Sequence, residues 1–170
     1  MNTHADAATP VVDLVLQQLK DRLGAAQCAQ AQKFARHFFK RVSSDDLASR
    51  SVEDWTAMML SLHDFVRVRK PGTPNVRVYM PSAAANGWDS NHTSIDVITD
   101  DAPFLVDSAS IAIAHAGLLL HMVVHPVYGI ERDAGGHVLD IAAEGSNGRA
   151  ESLMHIEIDP IVEPADRARM

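Results

Sequence analysis

Nine histidines, the aspartates Asp100, Asp101 and Asp107, and the lone Cys28 are the side chains with which this sequence could do chemistry. Imidazole is the commonest transition-metal ligand, and His121 and His125 are spaced by four. On a helix that spacing puts both on one metal-binding face. On a strand it separates them by about 13 Å, beyond the reach of one ion. The run around them, residues 118–130, is β-branched and contains Pro126, so it reads as one long strand bent or bulged at that proline. His155, with Glu157 on its face of a neighbouring strand, could approach one of the two. The reading is nevertheless of satisfied sheet or core histidines, and no metal is expected. The three aspartates could form an acid–base site, but at the head of a helix they read as capping and dipole-complementing groups. The amides of that helix could also receive a carboxylate. Asp100 and Asp101 would oppose an anion there, although they could hold an ammonium group. Cys28 has no His or Arg neighbour to activate its thiol and reads as structural. Trp88, in a polar loop, is equally consistent with a contact surface and a loop anchor. The chain contains no G-x-G-x-x-G, G-x-S-x-G, H-E-x-x-H or P-loop, and hence no recognisable active site.

The elements that would position these residues fall into two halves. In the first, Val12, Val15, Leu16, Leu19 and Leu23 form one face of a helix ending near Gly24. Ala31, Phe34, Ala35, Phe38 and Val42 form a second, ending in a polar turn over residues 42–46. Ser51 caps a third, its hydroxyl placed to accept from the amide of Asp54. The stripe of that helix is Trp55, Met58, Met59, Leu62, Phe65 and Val66, at core spacing. Beyond Pro71 the period changes to two. Residues 76–79 are a short strand, residues 82–91 a loop, and residues 93–99 a strand with one polar face. A helix follows from Asp100 to about Ala116, capped by the acids, with Pro103 near its first turn. Its packing side is Leu105, Ser108/Ala109, Ala112 and Ala116. After the long strand, residues 133–136 signal a hairpin, residues 137–141 return, residues 144–149 make a loop, and residues 152–159 form a further strand. The expected class is α+β: an N-terminal helical segment (1–70), then an incomplete ferredoxin-like antiparallel sheet with helices on one face (75–170). The chain stops before the last helix and strand of a complete β-α-β-β-α-β unit, which suggests a piece of something longer.

Composition narrows the class of partner. With 46% hydrophobic and 22% charged residues, the 170-residue chain is too apolar to be disordered. Fifteen basic against 22 acidic residues give a net charge of -7, with no basic cluster, so nucleic acid is not an expected partner. No apolar run approaches the ~18 residues of a membrane span. The first ten residues lack the charged and apolar regions of a secretory signal. A cytoplasmic protein is expected.

Several segments, in order, resemble the N-terminal part of the large bacterial NAD-specific glutamate dehydrogenases: RVRKPGTPNVRVY (67–79), GWDSNHT (87–93), DDAPFLVDS (100–108), HMVVHP (121–126) and MHIEID (154–159). The resemblance covers about residues 34–160. It implies an ACT-like regulatory domain preceded by helices, with the catalytic domain far downstream. It further implies a parent enzyme that deaminates L-glutamate using NAD, a cofactor with no place in this segment. An ACT domain carries a loop of the form Asp-x-Pro-Gly-Leu between its first strand and helix, and Asp101-Ala102-Pro103-Phe104-Leu105 stands at that place. Gly117-Leu118-Leu119 matches the turn into the second strand. Phe104 departs from the pattern, adding bulk and, on this reading, removing the positive-φ option that glycine supplies. That favours a non-catalytic assembly and regulatory module whose partners are other domains or subunits of the same enzyme. The alternative is an amino-acid effector site at Asp101, Phe104, Leu105 and Val106, facing residues 119–123. An edge left beside Ile95 to Ile98 is expected to be covered by the strand at 76–79 or by a partner chain.

Overall fold

The computed structural model describes residues 5–143, 145 and 148–170; residues 1–4, at the start of the segment read against a signal, and Glu144, Ser146 and Asn147 of the expected loop lie outside the described residues. Four helices come first: α1 (Ala5–Arg22), α2 (Ala25–Phe39), α3 (Ser44–Ala48) and α4 (Val52–Val66). Their starts are set locally. The Ser51 hydroxyl accepts from the Asp54 amide at 3.0 Å, satisfying a first-turn donor that would otherwise be orphaned. Ser43 does the same for Asp46 at 3.0 Å, so the expected polar turn at 42–46 holds the beginning of a short helix instead. Trp55 donates its indole N–H to the Leu47 carbonyl at 3.0 Å and ties α3 to α4. The predicted α4 stripe is buried at Trp55, Met58, Met59, Leu62 and Val66.

Six strands follow: β1 (Asn75–Tyr79), β2 (Thr93–Asp100), β3 (Leu120–Val124), β4 (Val127–Arg132), β5 (Val138–Ala143) and β6 (Arg149–Ile158). They form one antiparallel sheet in the order β1-β2-β6-β4-β5, with β3 also on β6. β3 and β4 lie end to end along one edge of β6, interrupted at His125 and Pro126. They are the predicted long strand, broken where proline cannot donate. β1 pairs with β2, Val76 opposite Val97 and Val78 opposite Ile95. It thus covers the edge that the sequence left open, in the place where a ferredoxin-like sheet has its fourth strand.

Both faces of the sheet are covered. The N-terminal helices pack on Ile98, Met122, Val124, Tyr128, Ile130, Ile141 and Leu153. Tyr128 stacks on Phe34 (centroids 5.1 Å) and donates to its carbonyl at 3.1 Å. On the other face α6 (Leu105–His115) packs on Ile95, Met154, Ile156 and Ile158. Three expectations need correction here. First, the polar face of β2 is not solvated, since Ser94 and Asp96 are buried under the helices. Second, α6 is not capped by the acids. Asp100 is the last residue of β2, and the N-cap is Phe104, whose φ of 65° is left-handed and which makes no side-chain cap bond. Third, starting α6 at Leu105 rotates its packing side. Ile113 is buried with Leu105, Val106 and Ala109 against it, while Ser108, Ala112 and Ala116 are exposed. The loop before β2 holds a further short helix, α5 (Ala83–Asn86), and α7 (Pro164–Arg167) closes the chain.

Candidate functional site

The polar residues of the sheet converge on its helix-covered face. Asp96 of β2 and His155 of β6 are register partners, both fully buried, with His155 Nδ1 2.6 Å from Asp96 Oδ1. Arg77 of β1 reaches Asp96 Oδ2 from its Nε at 2.7 Å, and the Tyr79 hydroxyl donates to the same oxygen at 3.0 Å. Beyond His155, Glu157 is held by Arg50, whose Nη2 lies 2.5 Å from both carboxylate oxygens. Arg50 leaves the α3–α4 corner with its guanidinium 5.5 Å from the Trp55 ring centre and 5.1 Å from that of Trp88, a cation–π arrangement on two indoles. Trp88 is buried and serves as a loop anchor.

Burial alone would strip His155 of its proton, but the charge and hydrogen bond of Asp96, with Glu157 behind it, push the imidazole up to about 9. Burial likewise works against the Glu157 anion, but His155, Arg50 and His92 outweigh it and hold the carboxyl down at about 2. Asp96 is held below the carboxylate range by His155 and Arg77 against the same penalty. These groups therefore form a charged seam joining helices to sheet. It contains an Asp–His pair, yet both side chains have no exposed surface, so no substrate can reach them and general acid–base work is closed off.

The two limbs of a stability–pH profile follow. His155 gains affinity for its proton on folding, so its contribution is complete below about 6.5 and is lost as pH rises towards about 9. Glu157 loses affinity, so its contribution is complete above about 4.5 and is lost as pH falls towards about 2. Urea denaturation should show a plateau between those inner values and a loss on the order of 2–3 kcal/mol along the alkaline limb. His155→Gln should flatten that limb; an alkaline limb of unchanged depth in the variant would contradict the assignment.

At the outer end of the seam, His92 and His121 stack with ring centres 4.2 Å apart. His121 Nε2 lies 2.8 Å from Asp159 Oδ1, and His92 Nδ1 lies 3.5 Å from Glu157 Oε2. Among the described residues no three His, Cys, Asp or Glu side chains are grouped to hold a metal ion.

The four residues proposed for an effector lie in the turn before α6 and in its first turn. Leu105 and Val106 are half-buried against the second core, and Phe104 is 75% exposed. Asp101 accepts from the Ser152 hydroxyl, which in turn lies 3.1 Å from His125 Nε2. Phe104 does, however, keep the left-handed backbone that the family pattern assigns to glycine, so that conformation was not lost with the substitution. Cys28 is buried in α2, as read. Sequence reasoning passed over Arg50, Arg69, Asp96 and Glu151. For Asp96 and Glu151 the available signal was a charge on the strand face shared with Ile98 and Leu153, which requires buried partners; Arg50 and Arg69 lie in connections, where no such pattern applies.

Comparison with known proteins agrees with the fold. The family described as "Glutamate dehydrogenase, ACT1 domain" matches residues 34–170. The chain is 35% identical over 144 residues to the NAD-specific glutamate dehydrogenase of Pseudomonas aeruginosa, covering 83% of this chain and 9% of that protein. It is 33% identical over 159 residues to the NAD-specific glutamate dehydrogenase of Halomonas elongata, covering 89% and 10%. It thus spans about a tenth of the length of these curated relatives. No solved structure matches. No helix among the described residues is long and apolar enough to cross a membrane. On the family match and these identities, this chain belongs to the glutamate dehydrogenase ACT1 domain family.

Proposed function

We propose that this chain is a non-catalytic regulatory and assembly segment of an NAD-dependent glutamate dehydrogenase, an enzyme converting L-glutamate, NAD and water to 2-oxoglutarate, ammonia and NADH. The observation that carries the reading is α6. It lies on the sheet with Ile113 inward, yet Ile111 is 57% and Phe104 75% exposed on its outside, with Val76 exposed on the same side of the sheet. A helix apolar on both sides calls for a second cover. The relatives are about ten times longer than this chain, and a second ACT-like unit of the same enzyme is the occupant proposed. The test places Ile111→Glu in the full-length enzyme. Sedimentation should show smaller species, with glutamate oxidation altered, whereas unchanged assembly and activity would overturn the proposal. The 170-residue chain alone should reduce no NAD with glutamate, and turnover by it would overturn the non-catalytic part.

The left-handed Phe104 backbone favours one second reading, an amino-acid effector bound at Asp101, Phe104, Leu105 and Val106. Calorimetric titration of the chain with a panel of amino acids separates the two, and a flat response removes the effector.

A further inference from the structure

The outward side of α6 carries a regular pattern. Asp107, Ile111 and His115 are all exposed and spaced by four, so they form one ridge along the helix. Ile111 stands in the middle, with an acid about one turn before it and an imidazole about one turn after it. The adjoining row is small, with Ser108, Ala112 and Ala116 exposed, which leaves a shallow channel beside the ridge. Next to that row a recess of about 390 Å³ opens between α6 and β1, lined by Val76, Val78, Val97, Ala112, Ala116 and Ile156.

One face thus offers projections, Phe104 and Ile111, together with a channel and a recess. A contact between identical copies needs that combination, because each must supply both halves of the fit. Charge complementarity points the same way. A two-fold axis through Ile111 sets residues equally far from it against each other, so Asp107 of either copy meets His115 of the other. Each imidazole can then donate an N–H to the facing carboxylate. A parallel pairing would instead set Asp107 on Asp107, a like-charge contact.

We propose that α6 packs antiparallel on α6 of a second copy of this chain, about a two-fold axis at Ile111. The inference rests on the reading of α6 as a helix with a further cover, and it names that cover as the same segment of another subunit. Ser108 and Ala112 let the helices approach to an axial separation of about 8–10 Å, and four-residue ridges set in grooves cross at about −50°. The two Asp107 carboxylates then lie about 12 Å apart along the pair, where solvent and salt screen them. Phe104 of each copy comes to the Ala116 end of the other's α6, where the recess opens.

The test is sedimentation of the 170-residue chain and of substituted chains. The chain should dimerise with a dissociation constant on the order of 10 µM, and Ile111→Glu should weaken it about a hundred-fold or more. His115→Asp should weaken it about ten-fold, and adding Asp107→Arg should restore most of the loss. Both substitutions oppose the dipole of α6, so the recovery cannot come from a better helix. Ile111→Cys, in a chain whose one native cysteine, Cys28, is buried, should cross-link to its own counterpart on oxidation. The backbones at the crossing stand about 4–5 Å apart, within reach of a disulfide. Ala114→Cys, exposed but off the axis, should not cross-link. A chain still monomeric at about 0.5 mM would overturn the proposal. So would a double variant no tighter than His115→Asp, or equal cross-linking at the two positions. A monomeric chain beside a full-length enzyme that Ile111→Glu still dissociates would sink only the second copy and leave the covered helix standing.

Discussion

Asp96→Ala should cost about 3–5 kcal/mol of stability, the penalty for leaving a buried charge without its partner. The substitution strips His155 of the carboxylate 2.6 Å away and leaves Arg77 and the Tyr79 hydroxyl without their shared acceptor. His155 would then have either to shed its proton in a site with no exposed surface or to hold a charge balanced only by Glu157. Urea denaturation measures the loss directly. The double variant Asp96→Asn with His155→Gln removes both charges while keeping shape and hydrogen-bonding groups, so it should recover much of the deficit. A loss below about 1 kcal/mol for Asp96→Ala would mean that the seam does not lock helices to sheet.

Gly136→Ala should be comparably damaging for a different reason. Gly136 has φ +86°, a left-handed backbone that costs a side chain roughly 1–2 kcal/mol. A methyl group there would also stand 2.3 Å from the carbonyl oxygen of Arg69, and no rotamer change can relieve a clash between backbones. The Arg69 amide donates to the Gly136 carbonyl at 3.0 Å, and Val68 bridges His137 beside it. The hairpin and the α4–β1 connection would therefore have to part, for a total above about 3 kcal/mol. Thermal unfolding checks it against Gly24→Ala, where the added methyl meets nothing within 4 Å and the change should stay below about 1 kcal/mol. Equal melting points for the two variants would contradict the argument.

What could be read in advance was local. The Ser51 cap, the α4 stripe and the break at Pro126 each depend on residues within a few positions of one another, where hydrogen-bond geometry and period act directly. The class followed from the same signals, and the resemblance from motifs in order. The misread features needed partners far along the chain. Asp96 sits on an alternating strand and looks solvated until Arg77 and His155 are brought against it, 19 and 59 residues away. The face of α6 was mistaken by one position because the helix begins after Phe104, not at the acids. Nothing in the local pattern announces that a phenylalanine will take a left-handed turn at the head of α6. The arginines were passed over since a lone Arg in a loop usually points to water, and only a closed fold shows Arg50 between two indoles and Arg69 against Glu151.

α1 lies outside the stretch by which the family is recognised, which opens at residue 34. Val15 and Leu19 on this helix are nonetheless completely buried with α2 and α4 in the larger core. The packed core is thus longer in sequence than the recognisable signature. A recombination event or a cloning primer that respected the signature alone would carry off a sheet with its roof partly removed.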